Sequence, residues 1–194
     1  MFSRRLLKIF CLLLFIVQNS YAQNTSTFDN LLTSANNNIN SGSYNQATLQ
    51  LKDALKQSEI AKNRKNEAHV YDLLAEISIK KREFKEFKTY DAFATQIATQ
   101  LKDTALLISL NNRKGIYYME EGQNELAAQQ YNTALNLSIA KKETKKIAEI
   151  YSNLGSLFLA MGDKDKAINN FFNALKLHEL NDNKRGVGET YSNI

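Results

Sequence analysis

The sequence predicts an all-α fold, a solenoid of antiparallel helix pairs, and three observations carry that prediction. Residues 40 apart keep their character: Ala54, Ala94, Ala134 and Ala174 match, as do Ala47, Ala127 and Ala167. The 194 residues contain no proline and seven glycines, of which Gly42, Gly122 and Gly162 share one register and Gly115 and Gly155 another. Apolar residues recur at helical spacing on one face, without the alternation of a half-buried strand. A chain free of proline sustains long uninterrupted helices and disfavours a turn-dense β architecture. One helix pair cannot bury its apolar face alone, so pairs that repeat must stack. The periodicity gives about four repeats plus half of a fifth.

Residues 1–22 stand apart from the repeats. Arg4, Arg5 and Lys8 precede the apolar run Ile9 to Val17, and Ser20-Tyr21-Ala22 is a small-x-small cleavage pattern, which together read as a secretory signal peptide. The run is shorter than the roughly 20 apolar residues that a membrane-spanning helix needs. The single cysteine, Cys11, lies inside it. A mature chain starting near Gln23 therefore has neither disulfides nor thiol chemistry, and is expected in the periplasm or cell envelope without inserting directly into the membrane.

Repeat 1 (23–66) carries Leu31, Ala35, Gly42, Tyr44, Ala47, Leu51 and Ala54. Repeat 2 (67–106) is divergent: Tyr71, Leu74, Ala75, Phe84 and Ala94 keep the pattern, but Phe87 stands at a small-residue position and Asp91 at an aromatic one. Repeat 3 (107–146) shows Gly115, Tyr118, Gly122, Ala127, Tyr131 and Ala134, with Asn111 and Lys114 in place of an aromatic and a leucine. Repeat 4 (147–186) is the most complete. Tyr151, Leu154, Gly155 and Phe158 mark its first helix, Gly162-Asp163 interrupts, and Ala167, Phe171, Ala174 and Leu175 mark its second. The small residues Gly155, Ala167 and Ala174 allow two helices to approach closely. The stretch Glu179 to Arg185, rich in Asn, Asp and Lys, reads as a connection. Residues 187–194 begin a fifth unit, in which Tyr191-Ser192-Asn193-Ile194 repeats Tyr151-Ser152-Asn153-Leu154. That unit stops inside its first helix, which suggests a piece of a longer chain.

With its aromatic, Leu-Gly and aromatic signature in the first helix and Ala, aromatic, Ala in the second, this unit resembles the tetratricopeptide repeat. The likeness covers most of the mature chain and is of the 40-residue type found in exported bacterial proteins and in sensor regions. It places Ala54, Gly115, Ala134, Gly155, Ala167, Phe171 and Ala174 at the structural positions of the repeat. Two departures stand out: the period exceeds the usual length of about 34 residues, and the customary proline after the second helix is missing. Longer helices or longer turns must take up the difference.

The resemblance implies that first helices line a concave groove that holds a protein or peptide ligand. At about 100° per residue, the face opposite the packing stripe carries His69, Asp72, Leu73 and Glu76, then Ser109, Asn112, Arg113 and Ile116, then Glu149, Ser152, Asn153 and Ser156. Asp72, Glu76, Asn112, Arg113, Asn153 and Ser156 form the candidate partner-binding set. Arg113 and Asn153 lead it, because both present donors in a fixed fork suited to a backbone or a carboxylate. The clamp of lysine and asparagine by which some family members grip a C-terminal carboxylate is not matched by Leu32, Asp72, Asn112 and Ser152.

Other function classes are disfavoured. Without Arg4, Arg5 and Lys8, the 25 basic residues become 22 against 20 acidic ones, a net charge of +2 that does not suit a nucleic-acid binder. The clusters Lys62-Asn63-Arg64-Lys65, Lys141-Lys142 and Lys145-Lys146 read as solvated turns or helix ends, where a helix C-terminus favours cations by roughly 0.3–1 kcal/mol. No phosphate loop or nucleophile elbow is present. His69 and His178 fall in different units without a second ligand at metal spacing, and Glu120-Glu121 point in different directions on a helix. The chain therefore reads as non-enzymatic, with no metal and no cofactor. The leading reading is an exported scaffold that binds a protein or peptide through its groove. The alternative is the N-terminal sensor region of a membrane-bound signalling protein, a histidine kinase or transcriptional regulator.

Overall fold

The computed structural model describes residues 27–194, so the signal-peptide reading of 1–22 lies outside the described residues. Among these, regular structure is entirely helical. Helix α1 spans 27–40. It is followed by α2 (Tyr44–Ile60), α3 (Arg64–Lys80), α4 (Phe84–Leu101), α5 (Thr104–Glu120), α6 (Asn124–Lys141), α7 (Thr144–Ala160), α8 (Lys164–Leu180) and α9 (Lys184–Asn193). The close antiparallel pairs are α3/α4, α5/α6 and α7/α8, and odd-numbered helices also touch one another across successive units.

The period proves to be two equal halves. A residue with positive φ closes each of the first eight helices at intervals of 20: Gly42, Lys62, Arg82, Lys102, Gly122, Lys142, Gly162 and Asp182. Each closure uses the same paired backbone bonds, as where Asp182 N–H donates to Glu179 and Asn183 N–H to His178. This is the Schellman arrangement, which satisfies carbonyls left open at a helix end. The residues beyond the usual repeat length therefore lengthen the helices to 17 or 18 residues from α2 to α8, while the turns stay at two or three.

The helix pairs begin at 64, 104, 144 and 184, three residues before the divisions suggested by the apolar pattern. The first turns of α3, α7 and α9 are polar, and Asn63, Asp103 and Asn183 cap α3, α5 and α9, each accepting a bond from the backbone N–H three residues on, while α7 has no side-chain cap. A stripe-based division misses that turn. The stretch 179–185 is likewise mostly helical, because α8 runs to Leu180, α9 starts at Lys184, and only 181–183 connect them.

Small residues set the helix approach. A Cβ on Gly115 would lie 2.4 Å from the Tyr131 ring, and one on Gly155 would lie 2.6 Å from the Phe171 ring, so each aromatic lies directly on glycine backbone. Ala54, Ala134, Ala167, Phe171 and Ala174 are all buried in the same seams.

The irregularities of repeats 2 and 3 prove to be two halves of one contact. Asp91 occupies the site of Tyr131 and Phe171, and Lys114 occupies the site of Leu74 and Leu154; Lys114 Nζ lies 3.4 Å from Asp91 Oδ2 and 3.1 Å from Thr95 Oγ1. Burial raises the Asp91 carboxyl above its ordinary pKa, and Lys114 opposes that rise. Asp91 is less bulky than a ring, which fits Ala75 where the third and fourth units have Gly115 and Gly155. Phe87 stacks on Tyr117 at 4.6 Å, with Phe84 edge-on to the same ring at 5.5 Å.

Candidate partner-binding groove

Helices α3, α5 and α7 are the first helices of successive units and lie side by side, so one face of each is presented to one surface. Their polar side chains are joined laterally. Arg113 Nε donates to Asp72 Oδ1 at 2.9 Å and Arg113 Nη1 lies 2.9 Å from Glu76 Oε2, so one guanidinium on α5 spans two carboxylates one turn apart on α3. One unit further on, Asn153 Nδ2 donates to Asn112 Oδ1 at 2.9 Å, and Asn112 Nδ2 donates to Glu149 Oε1 at 2.8 Å. Lys146 Nζ, at 3.0 Å from Glu149 Oε2, closes that cluster.

These contacts form a ladder. Arg113 to Asp72 and Asn153 to Asn112 both span 41 residues, so each joins the same two positions of adjacent units. The corresponding pair one unit earlier is apolar, Leu73 and Leu32, both part of one core cluster. Burial by itself would disfavour charge on Arg113, but Asp72 and Glu76 more than offset it and hold the guanidinium above its ordinary pKa.

The six candidate binding residues are thereby placed. Asp72 and Asn112 are buried below the groove surface, and Arg113 and Asn153 are half-buried with their donors engaged by the ladder. Glu76 is half-buried against Arg113, and Ser156 is half-buried with its hydroxyl donating to the Ser152 carbonyl. The hollow above the ladder, about 310 Å³, is lined by Glu76, Ile79, Ser109, Arg113, Ile116 and Lys146 among others. Its walls combine both charge signs with two isoleucines, a surface suited to a mixed polar and apolar segment.

A second cleft of about 530 Å³ lies between α7 and α9, with His178 in its lining. His178 is buried between two neutral partners. Its Nε2 lies 3.4 Å from Ser152 Oγ and its Nδ1 3.0 Å from Asn183 Nδ2. Asn183 Oδ1 accepts the Gly186 N–H as the cap of α9, so its amide NH2 faces the ring, and only an unprotonated Nδ1 accepts from it. Desolvation depresses the His178 pKa, against the opposing pull of Glu189 and Glu149.

This anchor was not singled out from sequence, yet a signal existed. His178 aligns in the period with Ser58, Ala98 and Ser138, and Gly186 aligns with Asn66, Leu106 and Lys146. A large residue replaces small ones where a small residue replaces larger ones, and a Cβ on Gly186 would lie 2.5 Å from His178 Nδ1.

The sequence profile of the tetratricopeptide repeat matches residues 105–193. Those residues are tetratricopeptide repeats. The helix pairs before them share the architecture, and the described chain is an all-helical tetratricopeptide-like solenoid, a fold that typically serves as a non-catalytic scaffold for protein interactions. Two solved structures are similar. One is a signal transduction ATPase with numerous domains (STAND) from Pyrococcus horikoshii with a tetratricopeptide repeat sensor, at TM-score 0.72 and 18% identity over 84% of this chain. The other is BtubC (BKLC) from P. vanneervenii, at TM-score 0.68 and 17% identity over 91% of this chain. This chain spans 25% of the length of the STAND protein and 77% of BtubC. At such identity the likeness is one of fold. No curated protein matches the chain.

Proposed function

We propose that the tetratricopeptide repeats form a non-catalytic, exported scaffold that binds a protein or peptide segment along the groove of α3, α5 and α7. The observation that carries this reading is the hollow of about 310 Å³ above the side-chain ladder, where Glu76, Ser109, Ile116 and Lys146 remain accessible beside a pre-ordered floor. A floor whose polar groups are already paired loses little freedom on binding, which favours recognition of an extended segment. Arg113 and Asn153 then act by fixing the spacing of the first helices, and the half-buried Ser109, Ile116 and Ser156 meet the ligand. The small net charge of +2 expected for the mature chain supports a protein ligand over a nucleic acid.

A photo-crosslinking amino acid at Ser109 tests this in cells, with the exposed Asn132 of α6 as the comparison site. The reading requires discrete adducts at position 109 that are absent at 132, recovered from the envelope fraction. Equal labelling at both positions would sink it. A second reading, a sensor array within a longer signalling chain, draws support from the repeat sensor of the STAND protein. An envelope species larger than the present chain, detected by antibody against the repeats, would favour it.

A further inference from the structure

The turns from each second helix to the next first helix gather on one edge of the solenoid. A hollow of about 440 Å³ brings together Lys65 at the start of α3, the α4/α5 turn with Lys102, and Lys141 and Glu143 at the α6/α7 turn. Across the four matched windows 60–66, 100–106, 140–146 and 180–186 the edge holds ten basic and three acidic side chains. The equivalent windows on the opposite edge, 40–46, 80–86, 120–126 and 160–166, hold six basic and seven acidic ones.

Local helix electrostatics explains only part of this. Lys62, Lys102 and Lys142 close second helices, where the helix dipole favours a cation. Arg64, Lys145, Lys184 and Arg185, however, stand in the first turns of α3, α7 and α9, where the same dipole opposes them. On this edge the first turns of α5, α7 and α9 contain no acid and that of α3 contains Glu67, whereas on the other edge α4, α6 and α8 each contain one and α2 contains none. Six cations therefore stand in first turns on this edge against three on the other; Arg64 and Arg185 are paired with Glu67 and Glu189 of their own helices, while Lys145 and Lys184 have no ion pair among the described residues. The edge also exposes bulky apolar side chains: Ile60 and Leu180, at 73% and 74% exposure, exceed every other large apolar residue described, and Leu101 and Ile139 lie at the same helix ends.

We propose that this edge docks on an anionic lipid surface. Eight of its ten cations are lysines, compact point charges on flexible stems, which suit a diffuse field of headgroups better than the planar fork that arginine offers to one carboxylate. Ile60, Leu101, Ile139 and Leu180 supply short apolar contacts at the headgroup boundary. The docking proposed is peripheral and rests on side chains of the edge; among the described residues no helix is long and apolar enough to cross a membrane. Apart from Lys146, which also lines the groove hollow, the ten cations lie outside that hollow, and the proposal does not depend on what the groove binds.

Co-sedimentation of the full chain with phosphatidylcholine vesicles, with and without phosphatidylglycerol, tests the proposal. The apolar run at 9–17 is common to all proteins compared, so the readout is the gain in binding on adding anionic lipid. Lys145→Glu/Lys184→Glu should lower that gain by at least about twentyfold, because each lysine near an anionic surface contributes roughly fivefold. Lys85→Glu/Lys164→Glu makes the same charge change in first turns on the opposite edge and should stay within about threefold of the parent, since screening confines the field to the facing edge. Glutamate in a first turn favours the helix, so both pairs should retain the parent circular dichroism, and Lys145→Gln/Lys184→Gln repeats the test with less charge change. Equal binding to neutral and anionic vesicles, or equal losses in the two variant pairs, overturns the proposal. Capture of polyglutamate without capture of vesicles also overturns it, in favour of an acidic protein partner.

Discussion

Replacing Arg113 by leucine removes the cation that spans Asp72 and Glu76. The Asp72 side chain is 6% exposed and that of Glu76 28%, so Glu76 turns toward water while Asp72 stays buried without a counter-charge. Breaking a fully buried ion pair costs about 3–5 kcal/mol; with one carboxylate near the surface, about 2–4 kcal/mol is expected here. Adding Asp72→Leu should recover most of that loss, because the preceding unit builds the same contact from Leu73 and Leu32. Well-packed apolar replacements of buried pairs are often neutral, so the double variant should lie within about 1 kcal/mol of the parent. The assay is urea denaturation of the parent, the two single variants and the double variant, followed by far-ultraviolet circular dichroism. Coupling of about 2 kcal/mol or more between the sites is the expected result. If the single effects add to within about 0.5 kcal/mol, the ladder does not act as a pairwise link between units and the account of the groove floor fails.

Two further outcomes follow from the packing. Gly155→Ala gains up to about 1 kcal/mol of helix propensity but forces a methyl against the buried Phe171 ring, for a net loss of about 1–3 kcal/mol, whereas Gly188→Ala meets nothing within 4 Å and should raise the melting temperature. Thermal melts that shift in the same direction for both would contradict the close approach of α7 and α8. His178 has a depressed folded pKa, so the unfolded chain takes up its proton first; its stabilisation is intact above about pH 6.5 and is lost below that value by up to about 1.4 kcal/mol per pH unit. The stability advantage of the parent over His178→Ser should therefore shrink between about pH 7 and pH 5, and parallel pH profiles would refute the neutral clasp with Asn183.

The fold was legible because its determinants are periodic and local. Ala54, Ala134 and Ala174 recur at one spacing, and a seam between helices accepts only small side chains there. The αL closures were only half legible. Gly42, Gly122 and Gly162 announce themselves, but Lys62, Arg82, Lys102, Lys142 and Asp182 adopt the same conformation without glycine, so the 20-residue half-period was hidden behind a 40-residue one. The candidate site was less legible because helical phase fixes the face of a residue and not its depth. Arg113 and Asp72 do meet on adjoining faces of α5 and α3, but their mutual reach across 41 residues depends on how far apart the two helices stand, which no single helix encodes. Asp91 and Lys114 were each visible as departures; that they form one contact required the seam between α4 and α5.

The ladder bears directly on how a bound segment acts on the solenoid. A ligand shifts a conformational equilibrium only by its differential affinity for the states involved. Changing the angle between α5 and α7 means altering the bonds from Asn153 to Asn112 and from Asn112 to Glu149, whereas the joint between α3 and α5 is held by a guanidinium across two carboxylates. The Asn153–Asn112 bond joins neutral amides and the Asn112–Glu149 bond is charged on one side only, so both are weaker than a guanidinium across two carboxylates, and the amide pair is the more readily replaced by a peptide backbone, which offers the same donors and acceptors. On the proposed function, a segment lying over Ser109 and Ser156 would adjust the α5/α7 joint first and leave α3/α5 as the fixed reference. The units of a solenoid contact only their neighbours, so such an adjustment propagates as curvature without loss of either core.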